Sequence, residues 1–262
     1  MAYPAARRPG LHDQAWHYLL GLAPDIALLQ EALPPGWVRT EGTLVHGPIT
    51  WWGSVIFSPR LPLERFRLPE ESNLHALGRY LAFATASLPD GSDALIASVH
   101  AVARKATKAQ LGSLDAAVVS RRSAGRPRVN DVVFAGIEPI VREKPFIVSG
   151  DWNTARLFDS VYEGTAGAEF FDRAGERAWF ECARKMHPEE VRTWFRPGNR
   201  PYQLDHAFCD AALWERLKDV RVGTDAAEEL GLSDHAPLIL DFDIASIAIT
   251  NLNSKTSQAD TT

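Results

Sequence analysis

The chain has 262 residues, 45% of them apolar and 23% charged, with a formal net charge of -5. That composition supports a sizeable core and excludes a disordered chain, while the negative balance argues against a general nucleic-acid coat and leaves room for a local basic groove. The two cysteines, Cys182 and Cys209, could pair but do not make a disulfide scaffold, no apolar stretch follows Arg7 and Arg8 as a secretory signal needs, and no run reaches the length of a membrane span. The expectation is a soluble, cytoplasmic, globular protein.

His12 to Leu22 carries Trp16, Leu19, Leu20 and Leu22 at helical spacing, with Pro24 just beyond, and predicts a helix. Residues 24–31 read as an apolar strand ending in Gln30-Glu31, which places Glu31 at a strand end; an ordinary exposed glutamate before a loop is the plainer reading. From Trp37 to Ser58 the pattern predicts strands with turns at Gly42, Gly47-Pro48 and Gly53. The adjacent Trp51 and Trp52 would fall on opposite faces of a strand, the outer one stacking on a substrate or, more commonly, covering a sheet. Pro59, Pro62 and Pro69 break up a loop-rich connection holding Glu70, Glu71 and His75. Strands over Arg79–Leu88 and Ala94–Val99 form a hairpin around Pro89-Asp90-Gly91, and the second ends at His100.

Thr107 to Ser120 predicts a helix with Leu111, Leu114, Val118 and Val119 inward. Arg121 to Arg128 is the most basic run, suited to a phosphate-rich ligand but equally to a solvated loop, and Val129 to Arg142 predicts a second helix. Lys144 to Asn153 then reads Lys-Pro-Phe-Ile-Val-Ser-Gly-Asp-Trp-Asn, a short apolar run bounded by turn formers and therefore a buried strand. In extended backbone residues two apart point the same way, so Asp151 and Asn153 would face one cleft; an Asx turn closing a hairpin is the alternative. Helical patterns return over 155–162 and 166–174, followed by an aromatic, irregular section from Ala178 to Arg200 and a strand from Tyr202 to Phe208. Leu230 to Pro237 leads into the apolar Leu238-Ile239-Leu240. One domain over residues 10–243 and a disordered tail over 244–262 are expected.

The polar residues at these strand ends are Glu31, His100, Asp151, Asn153, Asp205, Asp234 and His235. Hard oxygen donors with few sulfur or paired-histidine options favour Mg²⁺ or Mn²⁺ over zinc. Such an ion can neutralise charge on a phosphoryl group during in-line attack, and an Asp beside a His makes a general base for water. The chemistry points to hydrolysis of phosphate esters.

Leu-Leu-Gln-Glu at 28–31, Gly-Asp-Trp-Asn at 150–153, Leu-Asp-His at 204–206 and Ser-Asp-His-Ala-Pro-Leu at 233–238 occur in an order that resembles the endonuclease/exonuclease/phosphatase superfamily, the deoxyribonuclease I-like proteins. The resemblance implies a four-layer α-β-β-α sandwich, a fold of the α/β (α+β) class, with the site at one rim. It implies that Glu31, with Asp234, binds a divalent ion and that Asp151 orients or deprotonates the attacking water while Asn153 holds the phosphoryl oxygens. It also implies that Asp234 supports His235 as the phosphate-contacting base, that Asp205 orients a second histidine or a metal-bound water, and that His100 contacts the phosphate and protonates the leaving group. The implied activity is a phosphodiesterase or nuclease, with a phosphomonoesterase on a small or lipid phosphate, or a non-catalytic relative, as the alternatives; the partner is a phosphate-ester substrate such as nucleic acid. One departure stands out: members of the family open with an interior strand ending in an Asn, and the stretch before Gly10 does not supply it. Two neighbouring strand edges without partners and a hole in the core are expected in consequence.

Overall fold

The computed structural model describes residues 10–49, 52–114, 127–198 and 200–244. Trp51, most of the basic run Arg121–Arg128, the end of the helix expected over Thr107–Ser120 and the expected tail lie outside the described residues.

The first helix, α1 (Leu11–Gly21), buries Ala15 and Trp16 and leads into strand β1 (Ala27–Ala32). Between β1 and the next strands, Gly36–Thr40 forms a 3₁₀ turn rather than a strand. β2 (Thr43–His46) and β3 (Gly53–Ser58) follow, and Gly53 opens β3 instead of making a turn. β4 (Leu63–Arg65) lies in the proline-rich connection, then β5 (Leu81–Ser87) and β6 (Asp93–His100) form the expected hairpin in unbroken register from Leu81 opposite Val99 to Ser87 opposite Asp93. Helix α2 covers only Lys108–Leu111, where the Thr107 hydroxyl and the Gln110 side chain cap it reciprocally. It stops at Gly112, whose φ of 57° no other residue type adopts easily, so the long helix expected from Thr107 is not continuous.

Helix α3 (Val129–Val141) precedes β7 (Phe146–Asp151), which is followed by α4 (Leu157–Tyr162), α5 (Ala166–Glu176), β8 (Phe180–Glu181), β9 (Asp205–Cys209), β10 (Leu217–Val222) and β11 (Leu238–Phe242). The strand expected over Tyr202–Phe208 thus starts three residues later and ends one later.

β4 to β9 make a six-stranded sheet in the order β4-β5-β6-β7-β9-β8, with β6 and β7 parallel and the other pairs antiparallel. One face of this sheet, through Phe83, Leu95, Val148 and Phe208, packs on Val133 and Ile137 of α3 and Phe170 of α5. The other face, through Ala84, Ile96 and Ala207, meets Val45 and Ile56 of a three-stranded sheet (β1-β3-β2) and Val220 and Leu240 of a two-stranded one (β10-β11). Trp16 of α1 covers the outside of the three-stranded sheet against Ala27 and Phe57. The layers therefore run helix, sheet, sheet, helix. Among the described residues β1 pairs with β3 and β11 with β10. No helix among the described residues is long and apolar enough to cross a membrane.

Trp152 shows why this arrangement holds the site firmly. It is completely buried against Phe170, Trp179 and Phe208, and its backbone N–H donates to the Leu204 carbonyl at 2.9 Å. A side chain of this size hides on the order of 200 Å² of surface, which at ~25 cal/mol per Å² stabilises by about 5 kcal/mol. Its flanking residues are Asp151 and Asn153.

Candidate active site

β6 and β7 run side by side toward one rim, and β9 starts there in the opposite sense. Register places His100 opposite Asp151 and Asp151 opposite Asp205, so three polar residues form one row across three adjacent strands. Gly150 makes the row possible. Its φ is 149°, and a Cβ there would lie 2.0 Å from the Val99 carbonyl oxygen and 2.8 Å from Gln30 Nε2. β1 is tied to the same rim, since the Ser98 hydroxyl donates to the Leu29 carbonyl at 2.9 Å and accepts from Gln30 Nε2 at 3.0 Å. At its end Glu31 turns into the left-handed region (φ 49°) and brings Oε1 to 3.9 Å from His100 Nε2.

Asp151 is clamped by Asn153, whose backbone N–H donates to Oδ1 at 2.9 Å and whose Nδ2 donates to Oδ2 at 2.7 Å. The strand stops at Asp151 and Asn153 is left-handed (φ 46°), so the two side chains converge through a turn of the Asx kind and not through extended backbone. Oδ2 lies 3.7 Å from His100 Nε2. Burial pushes the Asp151 carboxyl up to about 7, the Asp205 charge adds to that, and the His235 cation works against it.

His235 Nδ1 bonds Asp205 Oδ2 at 2.8 Å. Asp205 is therefore the partner of His235, correcting the expectation that Asp234 plays that part; Asp234 Oδ1 is buried and has no hydrogen-bond partner among the described residues. Thr193 Oγ1 fixes Asp205 by accepting its backbone N–H at 3.1 Å. Burial alone would lower the His235 imidazole and raise the Asp205 carboxyl, but their mutual attraction prevails: His235 rises to about 9, helped by Asp151 and Asp234, and Asp205 falls below its usual range. The opposite holds for His100. It is buried, its Nδ1 meets no partner among the described residues, and burial outweighs the Glu31 carboxylate to bring it down to about 4. Burial thus favours the neutral imidazole of His100.

Other residues surround the row. Trp52 and Tyr80 wall the far side of His100, with ring centroids 5.7 and 5.5 Å from it, and the Arg79 guanidinium lies 4.1 Å from the Trp52 ring centroid. Behind the row, His206 is fully buried, with Nδ1 2.8 Å from Glu181 Oε1 and Nε2 2.9 Å from the Thr154 carbonyl. Arg156 Nη1 reaches Glu181 Oε2 at 2.8 Å and its guanidinium stacks 3.6 Å over Phe171. His206 closes the Leu-Asp-His motif at 204–206, and Gln203, directly before it, lies with Nε2 3.1 Å from His206 Nδ1.

No protein-family model and no curated protein matches the sequence. Solved structures do match in shape. A 3′ phosphatase, NExo from Neisseria, bound to product DNA hairpin, superposes with a TM-score of 0.63 at 20% identity, over 88% of this chain and 93% of that one. An AP endonuclease from Archaeoglobus fulgidus superposes at 0.59 with 16% identity, over 89% and 94% of the two chains. The endonuclease domain of TRAS1, a telomere-specific non-LTR retrotransposon, gives 0.59 at 13% identity over 91% and 94%. The chain has the deoxyribonuclease I-like fold.

Proposed function

We propose that this protein hydrolyses phosphate esters, as a phosphodiesterase or nuclease, by attack of water at the rim formed by Glu31, His100, Asp151, Asp205 and His235. The observation that carries the reading is the Asp151 carboxyl, which Asn153 orients on both oxygens and which burial holds near neutrality, in one row with the Asp205–His235 pair. A base poised near the working pH removes a proton from water most effectively.

The residues fit a hard divalent cation. Asp234 offers a buried carboxylate oxygen without a hydrogen-bond partner among the described residues, and Glu31 a carboxylate about one-third exposed, at 31%, at the rim. The described residues do not gather three metal-binding side chains, but Mg²⁺ is held by one or two carboxylates and fills its shell with water and substrate phosphate. Glu31 and Asp234 would hold it, and when bound it would neutralise charge on the phosphoryl group.

The chain's own groups do the rest. Asp151 takes the proton as the water oxygen bonds to phosphorus, and Asn153 keeps its carboxylate aimed. His235, held as a cation by Asp205, contacts the phosphoryl oxygens and gives its proton to the departing alkoxide as the old P–O bond breaks. Neutral His100 hydrogen-bonds the phosphoryl group through Nε2. The test is turnover of bis-p-nitrophenyl phosphate and p-nitrophenyl phosphate with Mg²⁺, Mn²⁺ or chelator. Metal-dependent turnover favouring the diester is expected. A preference for the monoester would move the reading to a phosphatase, and turnover indifferent to chelator would overturn the metal's part in it.

A further inference from the structure

Beyond Trp152 the chain runs through residues 153–156 without a strand or helix to hold it, yet this stretch carries Asn153, which aims the Asp151 carboxylate. Asn153 stands in the left-handed region at φ 46°, a conformation that costs a non-glycine residue free energy and persists only where its surroundings impose it. Side chains from β8, from β9 and from the loop between them supply that restraint. His206 lies opposite Gly150 in the β7–β9 register, with Nε2 2.9 Å from the Thr154 carbonyl and 3.1 Å from the Gln203 carbonyl. Both of these neighbours are acceptors, so Nε2 carries a hydrogen whatever the state of Nδ1. On the far side of the ring Glu181 Oε1 faces Nδ1 at 2.8 Å, and Glu181 Oε2 meets Arg156 Nη1 at 2.8 Å. Glu190 closes the circuit by accepting the backbone N–H groups of Arg156 at 2.6 Å and Leu157 at 3.1 Å. The reaction proposed above gives this buried histidine no part.

We propose that His206 is a positioning residue for Asp151: its Nε2–H bond to the Thr154 carbonyl, backed by Glu181, holds the Asn153 turn in the shape that aims the carboxylate. The inference rests on the reading of Asp151 as the base. Thr154 directly follows Asn153, so a movement that releases the Thr154 carbonyl passes to Asn153 through a single rigid peptide unit. A left-handed Asn153 freed in this way relaxes toward negative φ, which carries its backbone N–H off Asp151 Oδ1 and its Nδ2 off Oδ2. Thr154 is buried, so water does not stand in for the lost donor. Glu181 fixes the ring from behind, and its negative charge strengthens the donor at the opposite nitrogen. A displacement on the order of 1 Å at a catalytic group costs about 10²-fold in rate, so a side chain that never meets the substrate can govern turnover from here.

The experiment compares the wild type with His206→Gln, whose amide nitrogen can reach the place of Nε2, and with His206→Met, which is of similar length and has no donor. Both variants lose the pairing with Glu181, so the difference between them reads the bond to Thr154. The quantities measured are kcat and KM for bis-p-nitrophenyl phosphate with Mg²⁺, and hydrogen exchange of the Asn153 backbone N–H. In His206→Met, kcat should fall roughly tenfold to hundredfold with KM within about twofold, and Asn153 should exchange roughly tenfold faster; His206→Gln should restore most of both. A folded His206→Met protein with wild-type protection at Asn153, or equal losses in the two variants, would overturn the proposal. If the wild type hydrolyses no phosphate ester, the function proposed above fails, and the exchange comparison still decides what His206 holds. If neither variant folds, ¹⁵N NMR of the wild-type ring decides. A protonated Nε2 coupled across its hydrogen bond to the Thr154 carbonyl carbon is expected, and a bare Nε2, or a coupling to Gln203 alone, would overturn the proposal.

Discussion

Replacing Glu181 by Gln is the sharpest test of how the site is held from behind. The side chain of Glu181 is 5% exposed and that of His206 is completely buried. Both ring nitrogens of His206 face acceptors, the Glu181 carboxylate on one side and the Thr154 carbonyl on the other, an arrangement that favours the imidazolium form. Burial opposes both charges, yet the hydrogen bond and attraction between them raise His206 above its usual 6.5 and lower Glu181 below its usual 4.5. Gln keeps the volume and removes the anion, leaving the fully buried His206 cation without it and the partly exposed Arg156 guanidinium with Glu190 alone at 3.8 Å; breaking a buried pair such as His206–Glu181 costs about 3–5 kcal/mol. The sign follows from linkage. His206, with a raised pKa, contributes fully below 6.5 and loses its contribution as pH climbs through its folded value; Glu181, with a lowered one, contributes above 4.5 and loses it as pH falls through its folded value. The wild type should therefore exceed Glu181→Gln in urea-unfolding stability by about 3–5 kcal/mol at pH 6, with the gap narrowing in alkali to what Arg156 loses. A gap below about 1 kcal/mol at pH 6, the worth of a surface pair, would refute the reasoning.

Asp205→Asn should bring the His235 imidazole down from about 9 toward its ordinary range, because the attraction that outweighs burial is gone; NMR titration of the ring reads this directly, and an unchanged midpoint would contradict the pairing. In the wild type the rate should rise as Asp151 ionises near 7 and fall as His235 loses its proton near 9, and the falling limb should move to lower pH in Asp205→Asn. Gly150→Ala cannot be accommodated without moving β6 away from β7, since the new Cβ would meet the Val99 carbonyl oxygen at 2.0 Å. A melting temperature within a degree or two of wild type would show that the rim tolerates what the packing forbids.

Much of the architecture was legible in the sequence because the strands toward the middle of the six-stranded sheet are short apolar runs with turn formers at both ends, as at Phe146–Asp151 and Ala94–His100. β10 was not. Its buried residues, Leu217 and Val220, are three apart and not two, because the pairing with β11 shifts register between Leu217 and Asp219, and Lys218, Asp219 and Arg221 face solvent or the edge. The site was legible as an inventory and less so as a geometry. Glu31, His100, Asp151 and Asn153 do gather at one rim, but the partner of His235 is 30 residues away and not its neighbour, a choice made by β9 and by Thr193. Glu181 lay unmarked in an aromatic stretch, since nothing local announces a buried ion pair. The low value of His100 likewise depends on packing by Trp52 and Tyr80, which no motif encodes.

The most direct test of the central claim is Mg²⁺-dependent hydrolysis of bis-p-nitrophenyl phosphate by the wild type and by Asp151→Ala, with thermal unfolding measured on both. The account predicts turnover in the wild type and a loss of about 10²–10⁴-fold in a variant that still folds, the usual worth of a general base. A folded Asp151→Ala protein that keeps the wild-type rate would contradict it, because the catalytic water would then be activated somewhere other than this rim.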